Sequence, residues 1–259
     1  MLAQFGIEPF EMRVIDARPV VIQPGTGPRI INNTKSLEVI RLEKSLDGYH
    51  LWIKNKSNKS VVAYSILVSN DKIISGIRFR TILSGFAAGA TSDEITIFDS
   101  NVEQDGITIP AVVFDDGSFE GDAKLAAQFL VSQEGIGIQA PHVLRMIEQT
   151  LEVDDAELQA AFFKLEAQLW LIPEAIDKQS AIELIKSKYP SFDDQTISRL
   201  YEDLKGGLYE ARNRALTPLG DLKRHIQEDD RQDPGRAVLL RKTLERIKSD
   251  FERIIALKR

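Results

Sequence analysis

The hydrophobic period of the chain changes once, at Asp115-Asp116-Gly117-Ser118, and that change restricts the fold more than any other feature. Upstream, apolar residues recur mainly at every second position, as they do when a strand sends alternate side chains to opposite faces. Downstream they recur three or four apart, which places them on one face of a helix. At ~100–200 residues per domain, 259 residues with one such seam predict two domains. The expected organisation is a short flexible segment over 1–10, a β domain over 11–119 and an all-α helical domain over 120–259.

Within the first part, Met12 to Ile15 and Pro19 to Gln23 read as short leading strands, followed by Leu37 to Glu43 and Tyr49 to Lys54. Val61 to Val68 alternates cleanly, with Val62, Tyr64, Ile66 and Val68 on one face, so a half-buried strand is expected. Ile73 to Thr81, Glu94 to Phe98 and Ile107 to Phe114 complete the series. The last of these sets Ile107, Ile109, Ala111 and Val113 on a common face. The polar run Asn55 to Ser60 predicts a hairpin, and Asp47-Gly48 and Asp105-Gly106 are turn pairs. Gly85 to Thr91 reads as a mobile loop that Phe86 could anchor. Seven or eight short strands without intervening helices predict an antiparallel sandwich.

In the second part, Leu125 and Phe129 open a helical series that Gly135, Gly137 and Pro141 are expected to kink or break before Val143, Met146, Ile147 and Leu151 resume it. Asp154-Asp155-Ala156-Glu157 has the form of a capping box ahead of Leu158, Phe162, Leu165 and Leu169, and Pro173 ends or bends that helix. Ser180 to Tyr189 predicts a short helix stopped by Pro190, and Ser191-Phe192-Asp193-Asp194 a cap before Ile197, Leu200, Leu204 and Leu208. Thr217-Pro218 reads as a new start, with proline at the first helical position, and Asp233-Pro234-Gly235 as another. Six or seven helices are expected.

The stretch Leu51 to Tyr64, a strand, an Asn/Ser-rich turn and a returning aromatic, resembles bacterial immunoglobulin-like domains. The whole organisation, with Val112 to Asp122 at the passage from last strand to first helix, resembles uncharacterised bacterial proteins, often secreted, that join an immunoglobulin-like sandwich to a helical tail. The resemblance implies an antiparallel immunoglobulin-like β-sandwich followed by a helical bundle, and no activity.

Charge and composition narrow the chemistry. Thirty-three basic and thirty-nine acidic residues give a net charge of −6, with 12 against 15 up to Gly121 and 21 against 24 beyond it. Neither part is a basic module, and no nucleic-acid partner is expected. The absence of cysteine removes thiol nucleophiles, disulfides and thiolate metal sites. No apolar run approaches the ~20 residues of a transmembrane segment. Leu2-Ala3-Gln4 resembles the end of a signal peptide, so the expected natural chain begins upstream and is secreted or periplasmic; without such a leader a cytoplasmic protein is expected.

Candidate sites are few. His50, His142 and His225 share no metal-ligand spacing. Gly135-Ile136-Gly137-Ile138-Gln139-Ala140 matches the dinucleotide fingerprint in form but follows a helical period, where a helix interruption is the better reading. Ser69-Asn70-Asp71-Lys72 spells S-x-x-K in an expected turn. Asp115, Asp116, Glu120 and Asp122 form an acidic group whose oxygen ligands suit calcium, although their spacing is not that of an EF-hand; no other cofactor is predicted. At the C-terminal end, Leu240, Leu244, Ile247, Phe251 and Ile254 form a coiled-coil-like seam on a basic helix. That seam either packs on neighbouring helices or meets a partner protein, a second copy or an anionic membrane surface. The leading functional expectation is a noncatalytic interaction or structural protein, with a hydrolase-type enzyme using an interdomain cleft as the alternative.

Overall fold

The computed structural model describes residues 14–15, 20–22, 28–46, 48–70, 73–75, 86–92, 95–97, 102, 106–228 and 235–256. The leading segment 1–10 and the turn residues Asp47, Asp105, Asp233 and Pro234 lie outside them, as do most of the expected strand from Ile73 to Thr81 and half of the S-x-x-K motif.

The β part holds three small sheets. One carries β1 (Val14–Ile15), β12 (Phe119–Gly121), β11 (Ala111–Phe114) and β6 (Val61–Tyr64) in that order. A second carries β2 (Val20–Ile22), β3 (Ile30–Asn32), β10 (Ile107–Ile109), β7 (Leu67–Asn70) and β8 (Ile73–Ser75). The third is β4 (Leu37–Lys44), β5 (Tyr49–Asn55) and β9 (Ile95–Ile97). Two pairings, β1 with β12 and β3 with β10, are parallel, where alternation alone predicted an antiparallel set.

Two expected strands each prove to be a pair that changes sheet. Val61 to Val68 divides at Ser65 and Ile66 into β6 and β7, and Ile107 to Phe114 divides at Pro110, which has no N–H to give a ladder. In the second of these the facing residues exchange beyond the break, whereas Tyr64, Ile66 and Val68 keep to one core across theirs. Tyr64, Val112 and Phe114 enter one core with Leu51, Ile53, Ile107 and Ile109, while Ala63, Val113 and Phe119 meet Ala126 and Phe129 of the first helix. The β6–β11 pair is therefore covered on both faces, and the half-buried strand expected from periodicity is corrected.

The polar run after β5 is likewise no hairpin, since β5 and β6 belong to different sheets. Asn55 holds this corner from inside the core. Its amide donates to the carbonyls of Lys59, Phe86 and Ala87 at 2.7, 3.2 and 3.2 Å, and its Oδ1 accepts from the Ser57 amide and hydroxyl. A buried amide satisfied on both ends turns a costly polar group into a geometric constraint. Phe86 is buried and anchors the segment that follows it.

The helical part holds five helices among the described residues: α1 (Ala123–Leu151), α2 (Leu158–Leu171), α3 (Lys178–Lys188), α4 (Asp194–Glu228) and α5 (Arg236–Ala256). The chain divides into two compact units, Met1–Leu130 and Val131–Arg259, so the first turns of α1 belong with the strands. Aspartates cap the helices, at positions the sequence marked in part. Asp122 accepts from the amides of Lys124 and Leu125, Asp177 from Gln179 and Ser180, and Asp193 from Thr196. Asp154 accepts from Ala156 and Glu157, although Glu157 itself makes no side-chain cap.

Two expected breaks are absent. Helix α1 runs through Gly135, Gly137 and Pro141, and α4 runs through Thr217-Pro218. The glycines have a packing reason. A Cβ on Gly135 would stand 2.1 Å from the Leu204 carbonyl oxygen, and one on Gly207 would stand 2.0 Å from the Ser132 carbonyl oxygen, so α1 and α4 touch backbone to backbone. Around that crossing, Ile136, Ala140, Val143 and Ile147 join Phe162, Leu165, Leu169, Ala211, Ala215, Leu219, Leu244 and Phe251 in one core.

Candidate interaction surface

Once the inward faces are assigned, the residues left over define the surface of the helical unit. On α2 the core takes Leu158, Phe162, Leu165 and Leu169. Trp170 and Leu171 fall outside that phase and remain 58% and 83% exposed. Pro173 restricts Ile172 to an extended backbone and ends the helix there. The loop that follows is tied down from α1. The buried Gln139 amide donates to the Pro173 carbonyl at 3.3 Å and accepts from the Ala175 amide at 2.9 Å. Gln139, part of the apparent dinucleotide motif, therefore positions the loop that carries Glu174.

On α4 the core takes Ile197, Leu200, Leu204 and Leu208. Tyr201, Lys205, Tyr209 and Arg212, spaced four, four and three, form a separate stripe about 16 Å long at 1.5 Å per residue. Each ring has a cation over it: Lys178 lies 5.4 Å from the Tyr201 centroid, Lys205 5.7 Å from Tyr209, and Arg212 4.8 Å from Tyr209 and 5.6 Å from Trp170. Tyr209 donates its hydroxyl to Glu174 Oε1 at 3.2 Å. The electrostatic effect of the Tyr209 side chain, and then of the Glu174 carboxylate, holds the Lys205 ammonium above its usual range.

Arg212 sits between two rings and is under-satisfied. A guanidinium carries five N–H donors. Here Nη1 makes one long bond, 3.4 Å, to the Trp170 carbonyl, and Nε is buried without a partner. The two rings approach the guanidinium while its Nη groups keep donor capacity over, next to an exposed tryptophan. This combination of Trp, Tyr and Arg is the composition of interface hot spots rather than of ordinary surface.

The sequence-derived candidates occupy other positions. Of the acidic group, Asp116 pairs with Lys59 at 2.7 Å and accepts from the Ser118 amide and hydroxyl. Burial would raise its pKa, but these bonds outweigh it and keep the carboxyl below its ordinary value. Glu120, 3% exposed, points elsewhere and accepts from the Lys35 amide, the Ser36 amide and the Ser36 hydroxyl at 2.7, 2.9 and 2.6 Å. Asp122 caps α1 and Asp115 is exposed. Among the described residues, no three His, Asp or Glu side chains converge as a metal ion would require.

The C-terminal seam faces inward. Leu240, Leu244, Ile247 and Phe251 are buried in the helical core, and Ile254 packs against it. Arg241 reaches the carbonyls of Leu151 and Val153 and the Asp155 carboxylate, so part of the basic face of α5 is committed within its own unit. The glycine motif lies in the middle of α1, where amides are spent on the helix ladder and none is presented to a phosphate.

His142 and His225 are exposed. His50 Nε2 lies 2.6 Å from Ser45 Oγ on the β4–β5 turn, but Ser45 also donates to the Gly48 carbonyl at 3.1 Å. One hydroxyl proton cannot serve both bonds at once, so the turn carbonyl competes with the imidazole for it.

The Trp170–Tyr209–Arg212 surface was missed from sequence because attention falls on residues that keep the apolar phase. Its signal was the aromatic residues out of phase with their own helix. No helix among the described residues is long and apolar enough to cross a membrane. Comparison with protein-family models, with curated proteins and with solved structures finds no match.

Proposed function

We propose that the protein is a noncatalytic recognition protein whose helical unit binds a protein partner through Trp170, Leu171, Tyr209 and Arg212. The observation that carries this reading is an arginine within cation–π reach of two exposed aromatic rings, Trp170 and Tyr209, the first followed in sequence by the exposed Leu171. Ordering these groups in advance lowers the entropy that a partner must overcome on binding. In the same reading the β unit is an immunoglobulin-like spacer or recognition module, supported by its short strands, by chain segments that pass from sheet to sheet and by a core filled from several strands.

The test is site-specific photo-crosslinking in native extract, with a benzophenone side chain in place of Leu171 and, as control, in place of exposed Ser191. A discrete adduct from position 171 that disappears with Arg212→Ala is expected. Identical adduct patterns from both positions, or none, would remove the proposal.

A further inference from the structure

The chemistry of the surface also specifies its partner, and here the argument rests on the binding role proposed above. Arg212 lies between the Tyr209 and Trp170 rings, with its Cζ 4.8 and 5.6 Å from their centroids. Both rings lie within cation–π reach of the guanidinium; its Nε is buried, and its one hydrogen bond is the 3.4 Å contact of Nη1 with the Trp170 carbonyl. A guanidinium whose Nη groups keep spare donors is a receptor for a carboxylate, which can accept two parallel N–H bonds from it. Lys205 and Lys178 add positive charge along the same stripe, opposed by Glu174, which Lys205 approaches at 4.0 Å, and more weakly by Glu202. Trp170, whose ring the guanidinium approaches, and its sequence neighbour Leu171 are 58% and 83% exposed and offer apolar area that an incoming side chain would cover.

We infer that the Trp170–Tyr209–Arg212 surface docks an acidic, apolar peptide segment of another protein, with an aspartate or glutamate on Arg212 and a neighbouring leucine or aromatic side chain against Leu171 and Trp170. The net charge of −6 disfavours a polyanion such as nucleic acid, which brings one charge every ~1.7 Å, but opposes a single carboxylate only weakly beyond a screening length of ~8 Å. A basic segment would meet Arg212, Lys205 and Lys178 as like charges. A second copy of this chain is distinguished by the test rather than by the surface.

Phage-displayed random twelve-residue peptides are selected against the immobilised full-length chain, and the enriched sequences are titrated by fluorescence anisotropy against the wild type, Arg212→Ala, Arg212→Lys and Trp170→Ala. Peptides pairing Asp or Glu with Leu, Phe or Trp are expected, bound at least tenfold more weakly by each variant, including Arg212→Lys, which keeps the charge and loses the fork. Changing the peptide's acid to its amide should cause a similar loss. Matching circular-dichroism melts for the variants show that the fold is intact.

Enrichment of basic or uncharged peptides, equal binding by Arg212→Lys, or no sequence sensitive to these variants would overturn the inference. So would a crosslink from position 171 to a second copy, with a dimer in sedimentation. A crosslink from position 171 to a different protein together with a failed peptide selection rejects the acidic partner alone. Failure of the crosslink rejects the binding role itself.

Discussion

Gly206 and Gly207 are adjacent in α4 and carry opposite structural duties. A Cβ on Gly206 would meet nothing within 4 Å, whereas one on Gly207 would strike the α1 backbone. Replacing a helical glycine by alanine in open space recovers about 1 kcal/mol of backbone entropy, so Gly206→Ala should stabilise by that amount in urea denaturation. Gly207→Ala should destabilise by about 1–3 kcal/mol in the same assay, because the added methyl forces two helices apart. Asp203, one turn earlier, offers a second test. Burial, and then the charge of Glu202, push its pKa up to about 6, and its Oδ2 is buried without a partner. The folded protein binds this proton more tightly than the unfolded chain, where the group titrates near 3.9. Asp203 therefore favours folding increasingly as pH falls from about 6 to about 4, and above that window its charge is a standing cost. Asp203→Asn should raise the melting temperature at pH 7 and reduce the wild-type gain on acidification, as read from paired thermal melts between pH 4 and 7.

At the level of elements, helix α5 tests how the bundle closes. Its four buried side chains, Leu240, Leu244, Ile247 and Phe251, contribute roughly 6–12 kcal/mol of transfer free energy at about 1.5–3 kcal/mol each. That equals most of the ~5–15 kcal/mol by which a domain is stable, so a chain truncated before Arg236 should lose the cooperative melt of its helical unit, measured by helical ellipticity. The same accounting explains which elements were readable. Apolar residues three and four apart located α2, α3 and α5 to within a few residues, because an amphipathic helix writes its buried face into local spacing. The interior prolines Pro141 and Pro218 misled because packing offsets the hydrogen bond that each removes, and propensity alone carries no information about such neighbours.

For the molecule as a whole, charge gives the broadest prediction. With a net charge of −6 divided evenly by sequence, neither part should retard a single-stranded oligothymidine in a gel-shift assay at 150 mM salt, and a shift removed by higher salt would contradict this. Strand partners, by contrast, could not be read from the chain. Val61 to Val68 displays one alternating pattern, yet its two ends pair in different sheets and both faces are covered, since alternation records which side is apolar and not what lies against it.

The sequence by itself determined the order of sheet before helix, the caps at Asp154 and Asp193 and many of the residues that fill the helical core, because these depend on neighbours within a turn or two of backbone. Only the tertiary structure decided that Gly135 meets Gly207, that Glu120 serves the Lys35–Ser36 turn, and that Trp170, Tyr209 and Arg212 share one surface. Each of these contacts joins residues distant along the chain. Their proximity depends on how helices and sheets pack, which no local period encodes.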